Sequence, residues 1–171
     1  MDKEIDLINN EIANSTIHLI LNKTLWKTFD GKIKSILHSV SVWDEVKFLD
    51  ETGNLNNEIS KVTNNSGGIY LFVAKPNILP GSHFYLMYIG VTRNLRERFR
   101  DYHKELKYNK RPKVHRMLKG WGEYLYIRYL PLTEDFEIDK IEAELINKIL
   151  PPFNDTIPDK KIRDAIKAFS V

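Results

Sequence analysis

The sequence predicts an α+β domain, a small sheet covered by helices, and three observations predict it. From residue 67 the apolar patterns run strand, strand, helix, strand, helix. The 171 residues suit one domain, and a hydrophobic fraction of 42% with 11% aromatics is enough for a core. No apolar run approaches the roughly 18 residues of a membrane span, so a membrane partner is not expected. Met1 to Asn9 is charged and lacks the basic-then-apolar order of a signal peptide.

The elements follow in order. Lys3 to Leu21 opens with Ile5, Ile8 and Ile12 at helical spacing. Leu25 to Leu49 mixes Trp26, Ile33, Ile36, Leu37, Val40 and Trp43 and reads as helical, which makes residues 1–66 a mainly helical N-terminal extension. Asp50 to Ser66 is Asn-rich and polar, a linker with a short helix at most. Ile69 to Val73 is β-branched and aromatic between turn formers, a strand. A loop through Pro76, Asn77, Pro80 and Gly81 leads to a second strand, Phe84 to Val91, in a wide hairpin. Asn94 to Leu106 carries the stripe Leu95, Phe99, Tyr102, Leu106 and is a helix. Tyr124 to Leu130 is the third strand. Thr133 is the expected N-cap of a helix holding Ile138, Ile141, Leu145, Ile146 and Ile149, stopped by Pro151-Pro152. A last short helix covers Asp159 to Phe169, within a C-terminal piece of residues 156–171.

The formal charge of +3 hides an uneven distribution. Arg93 to Lys119 holds eleven Lys/Arg against three Asp/Glu, and the rest of the chain is acidic on balance. A basic stretch on an acidic body points to a polyanion partner; the plain alternative is a solvated helix face. There are no cysteines, which excludes disulfides, thiolate metal sites and cysteine nucleophiles. A reducing compartment, the cytoplasm, is the natural expectation.

Some charged and polar residues break the apolar patterns. Arg98 lies three residues after Leu95 and four before Tyr102, on the inward stripe, where a guanidinium needs an anion. Glu142 is ringed by Ile138, Leu145, Ile146 and Ile149, whereas Glu144 lies beside Lys140 and Lys148 on an exposed face. An Arg98–Glu142 pair is the structural reading. A phosphate on Arg98 and a hard metal on Glu142 is the functional one. Tyr70 and Tyr88, on adjacent strands, are either ordinary strand aromatics or the phenols of the same site.

Gly68-Ile69-Tyr70 and Tyr88-Ile89-Gly90, with Arg98 ten residues after Tyr88 and Glu142 followed by Pro151 and Asn154, resemble the motif series of the GIY-YIG endonuclease superfamily. The likeness covers about residues 67–155, which would be the catalytic domain. It implies a three-stranded antiparallel sheet flanked by helices, and metal-dependent hydrolysis of DNA phosphodiesters. Glu142 would bind one Mg²⁺ or Mn²⁺, and Arg98 would hold the phosphate. Tyr70 is the first choice as proton acceptor from water, with Tyr88 as base or contact. Asn154 would support the Glu142 helix end or the cleft. The spacing of 18 between the tyrosines departs from compact members and resembles some restriction enzymes. Where many members have a histidine four after the arginine, this chain has Tyr102, with His103 next to it; both are auxiliary candidates. Arg93, Arg100, Lys107, Lys110, Arg111, Lys113 and Arg116 would follow the DNA backbone. Cutting both strands would call for a homodimer. The competing function is a nucleic-acid-binding module that keeps the fold without catalysis.

Overall fold

The computed structural model describes residues 15–39, 43–80, 83–132 and 137–169. The first helix expected near the N-terminus and the Thr133 cap lie outside these. Among the described residues, two short helices precede the sheet, α1 (Lys23–Lys27) and α2 (Gly31–His38), each capped by a side chain, Asn22 and Asp30. Then follow strand β1 (Asp44–Lys47), a 3₁₀ turn at Asn57–Lys61, and the hairpin of β2 (Gly68–Ala74) and β3 (Tyr85–Thr92). Helices α3 (Leu95–Tyr108) and α4 (Pro112–Trp121), strand β4 (Leu125–Pro131), and helices α5 (Ile138–Ile149) and α6 (Lys160–Phe169) complete the chain. None of the helices among the described residues is long and apolar enough to cross a membrane.

The sheet is antiparallel in the order β1-β4-β2-β3, with four strands where the sequence predicts three. The added strand is β1, inside the segment read as helical. Its residues, Asp-Glu-Val-Lys, carry one apolar side chain, the buried Val46, and the strand is held by its pairing with β4 and by charge. Glu45 is in register with Arg128, whose Nε lies 3.0 Å away, and also pairs with Lys75. A short, charged edge strand guards against pairing with other chains. Central β2 is covered on both faces, so it reads as a continuous apolar run.

The expected single helix between the second and third strands is two. Asn109, in the left-handed region at φ 44°, ends α3, and Pro112 opens α4 at the first helical position. Val114, Met117 and Leu118 bury the face of α4.

Each face of the sheet has its own core. Tyr70, Phe72 and Tyr88 pack with Phe99, Tyr102, Val114 and Met117 of α3 and α4. Ile69 and Ile89 pack with Ile141, Leu145 and Ile146 of α5, joined by Ile33, Ile36 and Leu37 of α2. Glu144, expected on an exposed face, instead docks α2: its Oε1 accepts from the Asp30 N–H at 2.9 Å. Lys148 donates to Thr28 Oγ1 at 2.9 Å.

Candidate active site

Gly68 is fixed by strand pairing. A Cβ there would stand 2.3 Å from the Leu130 carbonyl oxygen of β4. Opposite, Tyr70 is in register with Gly90, and its ring lies across that glycine. In the same unbroken register Tyr88 stands opposite Phe72, on the same face as Tyr70; the register shifts only beyond that pair, between Phe72 and Val73. The phenols of Tyr70, Tyr88 and Tyr102 therefore gather on one side of the sheet. Their ring centroids are 5.9 to 6.4 Å apart.

Tyr70 and Tyr102 are 0% exposed and share a hydrogen bond of 2.8 Å between hydroxyls. Arg98, half-buried on the inward stripe of α3, donates from Nε to the Tyr70 hydroxyl at 3.1 Å. Its guanidinium carbon is 5.0 Å from the Tyr102 ring centroid. Among the described residues no carboxylate lies within ion-pair distance of Arg98, so the Arg98–Glu142 pair of the structural reading is not formed. Burial, with the charge of Tyr88 adding to it, pushes the Tyr70 phenol up to about 12, against the pull of Arg98. Burial and the neighbouring phenols raise Tyr88 and Tyr102 as well. Tyr88, at 9%, is the one of the three with exposure left.

Glu142 approaches from the other face, around the open edge of β3. Burial and the charge of Asp139 raise its carboxyl above the ordinary value, while the Val91 N–H and Arg98 pull it down. Asn154 takes the same edge two residues back. Its Oδ1 accepts from the Ile89 N–H at 2.9 Å, and its Nδ2 donates to the Ile89 carbonyl at 2.8 Å. Phe153 N–H donates to the Met87 carbonyl at 3.1 Å alongside. Asn154 thus replaces a missing neighbour strand; it positions β3 and touches no group of the phenol cluster. Asn154→Ala leaves two buried backbone groups unpaired and is expected to cost about 2 kcal/mol, measured by urea denaturation. A loss below about 0.5 kcal/mol would show the edge to be solvated.

Among the described residues no group of three or more His, Asp or Glu is gathered to hold a metal. The donor on offer is the single carboxylate of Glu142 beside Asp139. That set fits Mg²⁺ or Mn²⁺, which keep several waters and take oxygens from a phosphate, and not an all-protein cage.

Of the other expected residues, Arg93, Arg100, Lys107, Lys110, Lys113 and Arg116 are exposed. Lys113 Nζ donates to the Asn154 carbonyl at 3.3 Å, and Arg116 lies over the Phe153 ring. His103 is half-buried and makes no hydrogen bond to the phenols. Arg111 differs from its basic neighbours. It is half-buried and its guanidinium carbon is 4.8 Å from the Tyr102 ring centroid. Glu105, 7% exposed, was missed from the sequence. It lies three residues after Tyr102, so helical spacing alone puts it on the inward face of α3.

A scan against protein-family models and a search of curated proteins each find no match. Among solved structures, the chain is similar to the GIY-YIG N-terminal endonuclease domain of UvrC from Thermotoga maritima. In a point mutant bound to its catalytic divalent cation, identity is 23% and the TM-score 0.42, over 60% of this chain and 100% of that one. In the magnesium-bound form, identity is 25% and the TM-score 0.41, over 58% of this chain and 99% of that one.

Proposed function

We propose that the chain is a metal-dependent endonuclease of the GIY-YIG type that hydrolyses DNA phosphodiester bonds. The observation that carries the reading is the meeting of the motif residues. Tyr70, Tyr88 and Arg98, distant in sequence, gather with Tyr102 at one end of the hairpin, and Glu142 reaches the adjoining edge of β3.

The roles follow from the surroundings. Arg98 lacks a carboxylate partner and takes the phosphate, where its charge counts most as the transition state gains negative charge. Tyr88 keeps some exposure and accepts the proton of the attacking water. Tyr70, the first choice from sequence, is enclosed and hydrogen-bonded to Arg98, and so orients the guanidinium. A free phenol near pKa 10 is ionised about one part in 10³ at pH 7, and burial lowers that further, so acceptance needs a nearby cation. Glu142 would hold Mg²⁺ or Mn²⁺, which supplies Lewis-acid stabilisation of the leaving oxygen. The exposed Arg93, Arg100, Lys107, Lys110, Lys113 and Arg116 supply affinity for the DNA backbone without sequence choice. Restriction-type or other stand-alone cleavage is the setting this suits.

Supercoiled plasmid DNA tests the reading. Nicked or linear products with Mg²⁺ or Mn²⁺, and none with EDTA, are the expected result. Salt-sensitive binding without any cleavage would favour the binding module, and cleavage indifferent to EDTA would overturn the metal-dependent mechanism.

A further inference from the structure

Arg111 belongs by sequence to the basic stretch, yet its surroundings set it apart from the six exposed members. Two features turn it inward. The buried carboxylate of Glu105 accepts from the Arg111 main-chain N–H through Oε1, at 2.6 Å. Its Oε2 lies 3.8 Å from Arg111 Nε. A buried carboxylate is costly unless it is bonded and has a cation near it, so Glu105 fixes both the turn between α3 and α4 and the side chain leaving it. His115 Nδ1 fastens the same turn, donating to the Glu105 carbonyl at 2.9 Å. Arg111 is the residue before α4, and its side chain caps nothing there.

The consequence is that two guanidinium groups rest on one ring. Arg98 and Arg111 both lie within about 5 Å of the Tyr102 centroid. Arg98 spends Nε on Tyr70, and Arg111 turns Nε toward Glu105. In each case the two terminal Nη groups form no hydrogen bond among the described residues. Two cations that share the surroundings of one buried ring and of the Tyr88 phenol favour an anion beside them, and a planar fork matches the oxygens of a phosphate. The charge of Arg111, more than that of Arg98, opposes the rise of the Tyr88 phenol.

We propose that Arg98 and Arg111 form a two-arginine site for the phosphodiester that is cut, with Arg111 a catalytic residue and Glu105 its positioning residue. This rests on the nuclease reading above. It separates Arg111 from the backbone-path cations, whose part is affinity.

The test compares wild type, Arg111→Gln, Arg111→Lys and Lys107→Gln. Residue 111 keeps its main-chain bond to Glu105 in every variant, and circular dichroism checks the fold. Single-turnover cleavage of a short duplex should fall about 10²-fold in rate for Arg111→Gln with little change in Kd, as for loss of a donor to transition-state charge. Arg111→Lys should recover only part of the rate. Lys107→Gln, at one of the backbone-path cations, should weaken binding and reduce its salt slope by about one. A folded Arg111→Gln with wild-type rate, or one that loses only affinity and salt slope, overturns the proposal. A second readout does not need cleavage. Titration with a dinucleotide carrying one phosphodiester should shift the arginine Nε–H signals of Arg98 and Arg111 together in ¹⁵N NMR. Affinity should fall at least tenfold in Arg111→Gln. If that holds while the wild type cuts no DNA, the nuclease reading fails and the two-arginine site stands; if the dinucleotide binds Arg111→Gln as tightly as wild type, the site fails.

Discussion

Glu142→Gln is expected to reduce cleavage at least about 10³-fold, about 4 kcal/mol of barrier, while leaving the fold as stable as before. The two halves of this expectation have separate causes. The amide has the wrong charge to hold a divalent cation, so transition-state stabilisation through it is lost. Yet Gln keeps an oxygen that can accept from the Val91 N–H, so the edge of β3 stays satisfied. Arg98 is not left unpaired either, because its hydrogen bond is to Tyr70 and not to Glu142. Removing one of two like charges, Asp139 and Glu142, three residues apart on α5, should add a few tenths of a kcal/mol. In metal-free protein the sign against pH is fixed by the raised carboxyl. Wild type gains stability as pH falls through that raised value, and the gain is complete below the ordinary value of 4.5. The variant lacks this gain. Cleavage rates and urea midpoints between pH 4 and 8 check both. A variant that loses several kcal/mol of stability would mean that Glu142 is a structural partner. One that still cuts would remove it from the reaction.

What the sequence made legible was whatever carries its own period or its own strong local chemistry. Arg98 was readable as inward because it shares the stripe of Leu95 and Tyr102. Strand β2 was readable because a strand covered on both faces shows no polar gap. Strand β1 was not, because its pairing is a relation between Glu45 and Arg128, 83 residues apart, and a four-residue charged stretch has no period of its own. Helix α4 has a signal in Pro112 and the spacing of Val114, Met117 and Leu118, but three apolar positions among Lys, His and Arg are too short a stripe to fix a helix by period alone. Glu105 has a signal of the same kind, since Tyr102 stands one turn before it, but a carboxylate in a basic stretch is equally at home on a solvated face. The bonds of Asn154 to Ile89 show the remaining limit. An asparagine after a helix can cap, turn or contact substrate. Only the open edge of β3, a product of the strand order, decides that it pairs with backbone.

Gly90→Ala is expected to cost about 3 kcal/mol and to lower Tm by about 6 to 12 °C for a chain of this size. A Cβ at this position would stand 2.4 Å from both Cζ and the hydroxyl oxygen of Tyr70. The tyrosine has nowhere to retreat, since Phe72, Phe99 and Tyr102 meet its ring at edge contacts of 5.5 to 6.4 Å between centroids. The glycine is thus required for space. Its φ is not in the left-handed region, unlike that of Gly53. Gly31→Ala is the matched control: a Cβ there meets nothing within 4 Å at the start of α2, so the change should be neutral or stabilising by about 0.5 kcal/mol. Adding Tyr70→Phe to Gly90→Ala removes the hydroxyl half of the clash and leaves the ring half, so the double variant should recover part of the lost stability. A Gly90→Ala midpoint within 2 °C of wild type would mean that the ring can shift. Arg98 would then lose its hydrogen bond at no cost to the fold, and the guanidinium would be held by its contact with Tyr102 alone. If the loss is large, the two halves of the hairpin motif depend on one another. The tyrosine of the first strand needs the glycine of the second to lie flat, and only a flat ring sets its hydroxyl where Arg98 and Tyr102 can both reach it.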